Sequence, residues 1–271
     1  MNSLVSPQDF NPDDYWEKRL TKKKGLVGVG YTRLGSYFNF WAYKVRKHVF
    51  KKQFFSLGIK AKGASVLDVG SGSGFYIRTW KEVGAANITG VDLTKVAVED
   101  LKKEFPCERF FQCDIGDENY DRQNKLSQYD FVSCMDVLFH IVDDKRFDQA
   151  IKNISSLVKP GGYFIYSDNF IQGKELRALH QASRSSEYLH RIFAEHGFEI
   201  VKRKPFMYLT NTPVDSNNIL LKMNWFIIEQ LVSRVKLLGA IAGLLLYPFE
   251  IALVDNKKEG PSTEIVFAVK K

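Results

Sequence analysis

The chain has 271 residues, of which 45% are hydrophobic, and its formal net charge is +8. This length suits one large domain or a domain with an added cap, and the apolar content is ordinary for a globular core. The three cysteines are odd in number and lack zinc-ligand spacing, so the sequence predicts no disulfide framework and no metal site. A reducing, cytoplasmic setting follows as the expectation.

The positive charge is concentrated at the start of the chain. Thirteen basic and four acidic residues precede Gly63, and the remainder is close to neutral. We favour the solvated face of an amphipathic helix as the explanation. An acidic partner, such as RNA, an anionic membrane surface or a phosphorylated substrate, is the alternative. The first twenty residues show no basic stretch followed by an apolar run, so we expect no signal peptide.

Two helices are predicted before the first strand. Asn11, Pro12 and Asp13 are typical of a helix start, and the glycines between 25 and 35 end that helix. From Ser36 to Leu57, apolar and basic residues recur at helical spacing, which predicts a longer helix packed on the core. We assign residues 1–62 to an N-terminal helical segment.

Strands and helices alternate from residue 64 onward. This alternation predicts an α/β fold, in which a parallel sheet is covered by helices and binds ligands at its carboxyl edge. The apolar stretch 264–270 is predicted to be a final strand. The predicted strands lie near 65–69, 88–92, 109–113, 129–135, 161–168 and 198–204. The predicted helices lie near 75–84, 94–105, 143–157 and 174–196.

A glycine-rich turn follows the first of these strands. Gly70, Gly72 and Gly74 lie on alternate positions, and Asp68 comes two residues before the first glycine. Glycine lets the backbone turn sharply and lets a ligand approach main-chain N–H groups. The G-x-G-x-G spacing differs from the G-x-G-x-x-G of dinucleotide-binding turns, which argues against NAD. Asp92 closes the second strand eighteen residues after Gly74, where its carboxylate can accept hydrogen bonds from ribose hydroxyls.

Together, the run from Asp68 to Gly74 and the run Gly90-Val91-Asp92 resemble the first two motifs of the class I S-adenosylmethionine-dependent methyltransferases. The resemblance covers roughly 64–204 and 263–270. It implies a Rossmann-like seven-stranded methyltransferase sheet with an antiparallel last strand, and S-adenosylmethionine as the cofactor. By the same resemblance the N-terminal helices would close over the cofactor and substrate, with Tyr15, Trp16 and Tyr31 as lid residues.

The cofactor-binding residues follow from the glycine turn, the acids at strand ends and the resemblance. Asp68 is expected to hold the glycine turn, and Asp114 would take the adenine amino group. Met135 or Asp136 would lie near the methionine end of the cofactor. Capping and turn formation are the alternative roles for the acids. The predicted set is Asp68, Gly70, Ser71, Gly72, Gly74, Asp92, Leu93, Asp114, Ile115 and Met135.

The candidate catalytic bases are His140, Asp168 and His180. A neutral imidazole suits proton removal near pH 7, although a histidine in this loop is often a packing and hydrogen-bonding residue. Asn169 and Tyr31 are predicted to face the substrate. His180, Arg184 and Tyr188 are spaced at i, i+4 and i+8 in the predicted helix 174–196, where they would either orient a polar or anionic substrate or form an exposed polar stripe.

An insertion, 205–262, separates the core at 63–204 from its last segment at 263–271. The stretch 219–238 is predicted to be an amphipathic helix, and the apolar run Leu237 to Phe249 is too short for a transmembrane helix, which needs about 20 residues. We expect an apolar helical cap buried over the substrate pocket or a dimer contact, with peripheral membrane docking as a further alternative.

The resemblance implies an enzyme that moves a methyl group from S-adenosylmethionine to a hydroxyl or nitrogen of a small molecule, such as a sugar or a specialised metabolite. The segment after Met135 lacks the Asn/Asp-Pro-Pro-aromatic run typical of enzymes that methylate nucleic acid bases. The alternatives are an RNA or protein methyltransferase and a non-catalytic cofactor-binding partner subunit. The chain is expected to be a monomer or a homodimer.

Overall fold

The computed structural model describes residues 11–120 and 126–271. The first ten residues, which belong to the predicted lid segment and to the stretch examined for a signal peptide, lie outside this range. Seven strands form one sheet, in the spatial order Arg109–Gln112, Asn87–Asp92, Ser65–Val69, Tyr129–Cys134, Val158–Asn169, Thr263–Lys270 and Phe198–Pro205. The last strand of the chain, Thr263–Lys270, runs antiparallel to both of its neighbours. The predicted seven-stranded fold with an antiparallel last strand is therefore confirmed.

The sheet and a separate hairpin account for the strands of the described chain. They are β1 (Ser65–Val69), β2 (Asn87–Asp92), β3 (Arg109–Gln112), β4 (Tyr129–Cys134), β5 (Val158–Asn169), β6 (Leu176–Ala178), β7 (Gln181–Ser183), β8 (Phe198–Pro205) and β9 (Thr263–Lys270). The helices are α1 (Pro12–Lys22), α2 (Gly25–Val29), α3 (Gly35–Ser56), α4 (Phe75–Glu82), α5 (Lys95–Glu104), α6 (Asp144–Leu157), α7 (Ser186–Glu195), α8 (Ile219–Arg234) and α9 (Leu238–Asn256), with a short 3-10 turn at Leu138–His140.

The register brings the functional strand ends together. Val69, at the end of β1, pairs with Val91 on β2 and with Cys134 on β4, and all three strands are parallel. The loops that follow them consequently leave the same edge of the sheet, which is where open α/β folds bind ligands.

Helix α3 packs on one face of the sheet, as its apolar spacing predicts. Phe50 and Phe54 are fully buried against Trp80 and Phe131. Burying an aromatic side chain of this size stabilises the fold by about 1.5–3 kcal/mol. The N-terminal segment is thus attached to the core by a large apolar contact.

The predicted helix 174–196 is wrong in its first half. Its N-terminal part is the hairpin β6–β7, and α7 begins only at Ser186, where the Ser185 side chain accepts a hydrogen bond from the Tyr188 N–H at 3.1 Å. The backbone of Ile171 exchanges hydrogen bonds with residues 184 and 186, which keeps that stretch extended. His180, Arg184 and Tyr188 therefore do not share a helical face.

The 205–262 insertion also differs from the expected buried cap. It forms two helices, and only 22% of the most apolar stretch of α9 is buried. By length and composition α9 could cross a membrane, since it extends seven residues beyond the predicted apolar run, to Asn256. Its inner side packs on α3 through Gly239 and Gly243: a Cβ atom at Gly243 would lie 2.0 Å from the Trp41 ring.

Candidate active site

The glycine turn is shaped by its backbone. Gly70, Gly72 and Gly74 all have positive φ angles, of 72°, 49° and 72°, which other residues adopt only with strain. The N–H groups of Gly70 and Ser71 donate to the Val91 carbonyl oxygen at 2.8 and 3.0 Å, which fastens the turn to β2. The glycines at alternate positions therefore allow the backbone to form this turn, and they also leave room for a ligand to approach it.

Asp68 lies beneath this turn. Its buried carboxylate accepts a hydrogen bond from Ser133 Oγ at 2.6 Å, while Ser71 Oγ donates to the Asp68 carbonyl oxygen at 2.9 Å. Burial raises the pKa of Asp68 to about 7. The Asp68 carboxylate is thus bound to β4 and the Asp68 backbone to Ser71 of the turn, and the role of this carboxylate in holding the turn stays a prediction.

Asp92 joins the turn to the end of β2. One carboxylate oxygen accepts from the Gly72 N–H at 2.8 Å, and the other accepts from the N–H and hydroxyl of Thr94 at 2.9 and 2.7 Å. A carboxylate can accept about four hydrogen bonds, so Asp92 retains about one site for a ligand hydroxyl. Burial raises its pKa.

A cavity of about 310 Å³ lies above the turn. Asp68 and Gly74 are not part of its lining, whereas eight of the ten predicted cofactor residues are: Gly70, Ser71, Gly72, Asp92, Leu93, Asp114, Ile115 and Met135. Asp114 also binds Arg146 and accepts from the Gly116 N–H at 2.9 Å.

The residues of this first cavity fit an adenosine-containing cofactor. Carboxylates at the ends of neighbouring strands can accept from hydroxyl and amino groups, and Leu93 and Ile115 offer apolar contact to a ring. The turn leaves its glycine backbone open to the rest of the ligand.

A second cavity of about 340 Å³ adjoins the first. Both cavities are lined by Trp16, Val29, Asp136 and His140. The second also has polar and aromatic walls, which include Tyr31, Asn169, Asn211 and Trp225. A group-transfer reaction requires donor and acceptor sites that adjoin, and two cavities with shared lining residues meet this requirement.

His140 lies in this shared wall in a defined tautomer. Its Nδ1 is 2.7 Å from the His180 carbonyl oxygen, so Nδ1 carries the proton and Nε2 keeps its lone pair. Burial lowers the pKa of His140 to about 3. The edge of Trp16 packs against the imidazole with 4.7 Å between ring centroids, and His180 stacks on it at 5.9 Å.

Asp136 and Arg46 form a buried ion pair at the same place. Arg46 Nη2 lies 3.0 Å from Asp136 Oδ2, and Ser167 Oγ donates to Asp136 Oδ1 at 2.8 Å. Asp136 has a φ of 59°, and it is the non-glycine residue of the described chain with a positive φ. Such strain is retained where the surroundings hold a side chain in a functional position.

Sequence reasoning missed Arg46. The available signal was a row of polar residues at seven-residue spacing, Asn39, Arg46 and Gln53, on the buried side of α3. Arg46 Nε and Nη1 have no hydrogen-bond partner within the described residues. Arg46 lines the second cavity, so these donors are candidates for binding an acceptor molecule.

The other predicted residues are divided between the cavity and the core. Tyr31 donates to Asn211, and Asn169 donates to Ser183 Oγ at 2.9 Å. Asp168, His180, Arg184 and Tyr188 line neither cavity.

Arg184 and Asp168 are both fully buried in the core. Arg184 binds Asp144 at 2.9 Å and the Ile141 carbonyl oxygen at 2.8 Å. Burial raises the pKa of Asp168 to about 7. Of the predicted bases, His140 lines both cavities and Asp168 lines neither.

Comparisons with known proteins agree with this site. Residues 66–162 match the family described as "Methyltransferase domain". The ubiquinone biosynthesis O-methyltransferase of Coxiella burnetii (strain Dugway 5J108-111) is 34% identical over 113 residues, which are 40% of this chain and 45% of that protein. The tRNA U34 carboxymethyltransferase of Idiomarina loihiensis is 27% identical over 128 residues, covering 46% of this chain and 39% of that one. The matches thus span about half the length of these relatives or less.

Solved structures share the fold across most of the chain. The magnesium protoporphyrin IX methyltransferase of Synechocystis PCC 6803 with bound SAH has a TM-score of 0.56 at 15% identity, covering 96% of this chain and 98% of that one. An S-adenosylmethionine-dependent methyltransferase of Clostridium acetobutylicum has a TM-score of 0.51 at 14% identity, covering 84% and 91%. Residues 66–162 thus match the methyltransferase domain family, and the chain shares the fold of S-adenosylmethionine-dependent methyltransferases.

Proposed function

We propose that this protein transfers a methyl group from S-adenosylmethionine to a hydroxyl of a small molecule, with a nitrogen acceptor as the second choice. The observation that carries the proposal is the pair of adjoining cavities with Asp136 and His140 in their common wall. The cofactor, when bound, supplies an electrophilic methyl group on a sulfonium. The protein has to align an acceptor atom with it and exclude water.

The second cavity favours a hydroxylated ring compound, such as a sugar or a specialised metabolite. Trp16 and Trp225 offer flat apolar surfaces, while Tyr31, Asn169 and Asn211 offer hydrogen-bonding groups. Arg46 adds two unpartnered N–H donors near Asp136. A polar oxygen on the acceptor would satisfy these donors.

His140 is our candidate for the proton acceptor. Its Nε2 lone pair is available because Nδ1 donates to the His180 carbonyl oxygen. Asp136 would orient the acceptor hydroxyl, since Ser167 and Arg46 hold its carboxylate in place. Trp16 would help to exclude water because it lines both cavities.

An RNA substrate is less well supported. Several basic residues of the N-terminal segment are bound within the chain: Arg19 donates to the Gly28 carbonyl oxygen at 2.7 Å, and Lys47 and Lys51 both contact Glu82. Glu82 partly neutralises the two lysines, and a backbone carbonyl oxygen occupies the Arg19 guanidinium. The free thiols of Cys107, Cys113 and Cys134 support placing the reaction in the reducing cytoplasm.

Titration calorimetry with S-adenosylmethionine and its demethylated product, followed by assays with hydroxylated sugars, phenols and amines, tests this proposal. We expect cofactor binding and a methylated product detected by mass spectrometry. Absence of cofactor binding would refute the proposal, and binding without turnover on any acceptor would support a non-catalytic subunit. Salt-sensitive RNA binding with RNA methylation would support the RNA alternative.

A further inference from the structure

The outer side of α8 and α9 is an apolar surface. Twelve of the eighteen exposed large apolar side chains of the described chain lie between residues 219 and 249, and each of the twelve is at least 50% exposed. Monomeric proteins rarely expose contiguous apolar patches of this kind unless something docks there. We call the outward side of these two helices the α8–α9 face.

The spacing of these residues makes the face continuous. On α8 the exposed apolar residues include Met223, Ile227 and Leu231, and on α9 they include Ile241 and Leu245. Residues three or four positions apart share one side of a helix. Because Ile228 and Val232 on α8 and Gly239 and Gly243 on α9 are buried on the opposite side, each helix has an apolar inner contact and a second apolar stripe that faces outward. A helix that is apolar all round is typical of a core or of a membrane environment.

The charges around the face are almost all positive. Between residues 219 and 249 the single acid is Glu229, which Arg33 binds at 3.1 Å, whereas Lys222, Arg234 and Lys236 are exposed. Helix α3, which packs beside α9, contains no acidic residue. A second copy of this chain would bring like charges together at such a face, while an anionic surface would complement them.

We propose that the α8–α9 face binds an anionic lipid bilayer, with both helices lying in the plane of the interface. Apolar side chains on one side and basic residues beside them are the features of interfacial helices. A spanning arrangement would disrupt contacts of α9: the Glu250 carboxylate accepts from the N–H groups of Tyr208 and Leu209 at 2.5 and 2.6 Å, and Gly243 lies flush against Trp41.

Docking of the α8–α9 face would place the second cavity close to the lipid bilayer. The inner side of α8 contributes Trp225 and Glu229 to the second cavity. A helix with its side chains is about 10 Å across, so a docked α8 would hold this cavity about that far from the membrane surface. The lipid binding itself does not depend on the proposed methyl transfer.

Vesicle co-sedimentation of the full chain tests the proposal. We expect binding to vesicles of phosphatidylcholine with phosphatidylglycerol and weaker binding to phosphatidylcholine alone. Leu245→Glu and Phe226→Glu should each lower the vesicle affinity by about tenfold or more, because each removes one inserted apolar side chain and adds a repelled charge. Leu176→Glu, at an exposed apolar position on β6, is the matched control and should bind like the wild type.

Two double variants test whether the basic residues beside the α8–α9 face contribute to vesicle binding. Lys222→Gln combined with Arg234→Gln should weaken binding to the anionic vesicles, whereas Lys102→Gln combined with Lys103→Gln on α5 should not. Unchanged thermal unfolding and cofactor binding in all variants would show that folding is intact. The proposal is overturned if anionic vesicles do not bind the protein, if Leu245→Glu and Leu176→Glu bind them equally, or if light scattering shows a dimer that Leu245→Glu dissociates without any vesicle binding.

Discussion

The guanidinium of Arg46 lies 3.0 Å from the carboxylate of Asp136, so a helix of the N-terminal segment is tied to the loop after β4 at the boundary of the two cavities. Burial alone would lower the pKa of Arg46, but the Asp136 carboxylate and nearby tyrosines raise it above its usual value. Arg46 therefore keeps its positive charge at all physiological pH values. The ion pair with Arg46 orients Asp136, which lines both the first and the second cavity.

Removal of Arg46 should destabilise the protein strongly. Arg46→Met leaves the Asp136 charge buried without its cation, which we expect to cost about 3–5 kcal/mol in the free energy of unfolding measured with urea. Lys52→Met on the same helix removes an exposed ion pair with Asp255 and should cost less than about 1 kcal/mol. The double variant Arg46→Met with Asp136→Asn should recover part of the loss; equal costs for the two single variants would contradict the buried pair.

Replacement of Asp92 should weaken cofactor binding. Asp92→Asn loses acceptor capacity for the Gly72 N–H, for Thr94 and for a ligand hydroxyl, so we expect S-adenosylmethionine affinity to fall by roughly tenfold to a hundredfold in titration calorimetry. Asp100→Asn, at an exposed position on α5, should leave the affinity unchanged. Unaltered affinity in Asp92→Asn would mean that the ligand does not contact the end of β2.

Replacement of His140 should affect turnover more than binding. His140→Gln removes the proposed proton acceptor and should lower kcat by about 10²–10⁴-fold, while His190→Gln on α7 should have no effect. Because burial lowers the pKa of His140 to about 3, the wild type should not lose kcat through protonation of this residue as the pH falls from about 8 to about 5. If kcat of the wild type falls as the pH drops below about 6.5, and this fall is absent in His140→Gln, then the imidazole titrates at its ordinary pKa. Such a result would contradict a neutral His140 at these pH values.

Asp168 should make stability depend on pH. Burial raises its pKa from 3.8 to about 7, so between these values the folded protein binds a proton that the unfolded chain lacks, and stability decreases as the pH rises through this window. Asp168→Asn should therefore be more stable than the wild type at about pH 8, with the difference vanishing below about pH 4, as measured by thermal unfolding across that range. Asp100→Asn serves as the exposed control. A constant difference at every pH would exclude titration of Asp168 as the cause.

Sequence patterns were sufficient to identify eight residues that line the first cavity. The glycine turn and the acids at strand ends are contiguous with the strands that position them, so the β–turn–helix period places Gly72 and Asp92 at one edge of the sheet. The helix prediction for residues 174–196 was wrong for the opposite reason. Helical spacing of His180, Arg184 and Tyr188 was coincidental, because the Ile171 pairing and the burial of Arg184 beside Asp144 are contacts between segments that the local pattern does not contain. The Ser185 cap, by contrast, is a local signal that marks the start of α7.

By itself, therefore, the sequence determined the sheet, its glycine turn and the class of cofactor, since these depend on short-range periodicity and on residues that adjoin their own strands. The tertiary structure decided which polar groups meet at the second cavity and which side of the insertion faces outward. Arg46 and Asp136 are ninety positions apart in the sequence, and the outer stripe of α9 can be told from its inner one only once Gly243 is packed against Trp41. Both depend on how distant segments pack, and packing is a property of the folded chain.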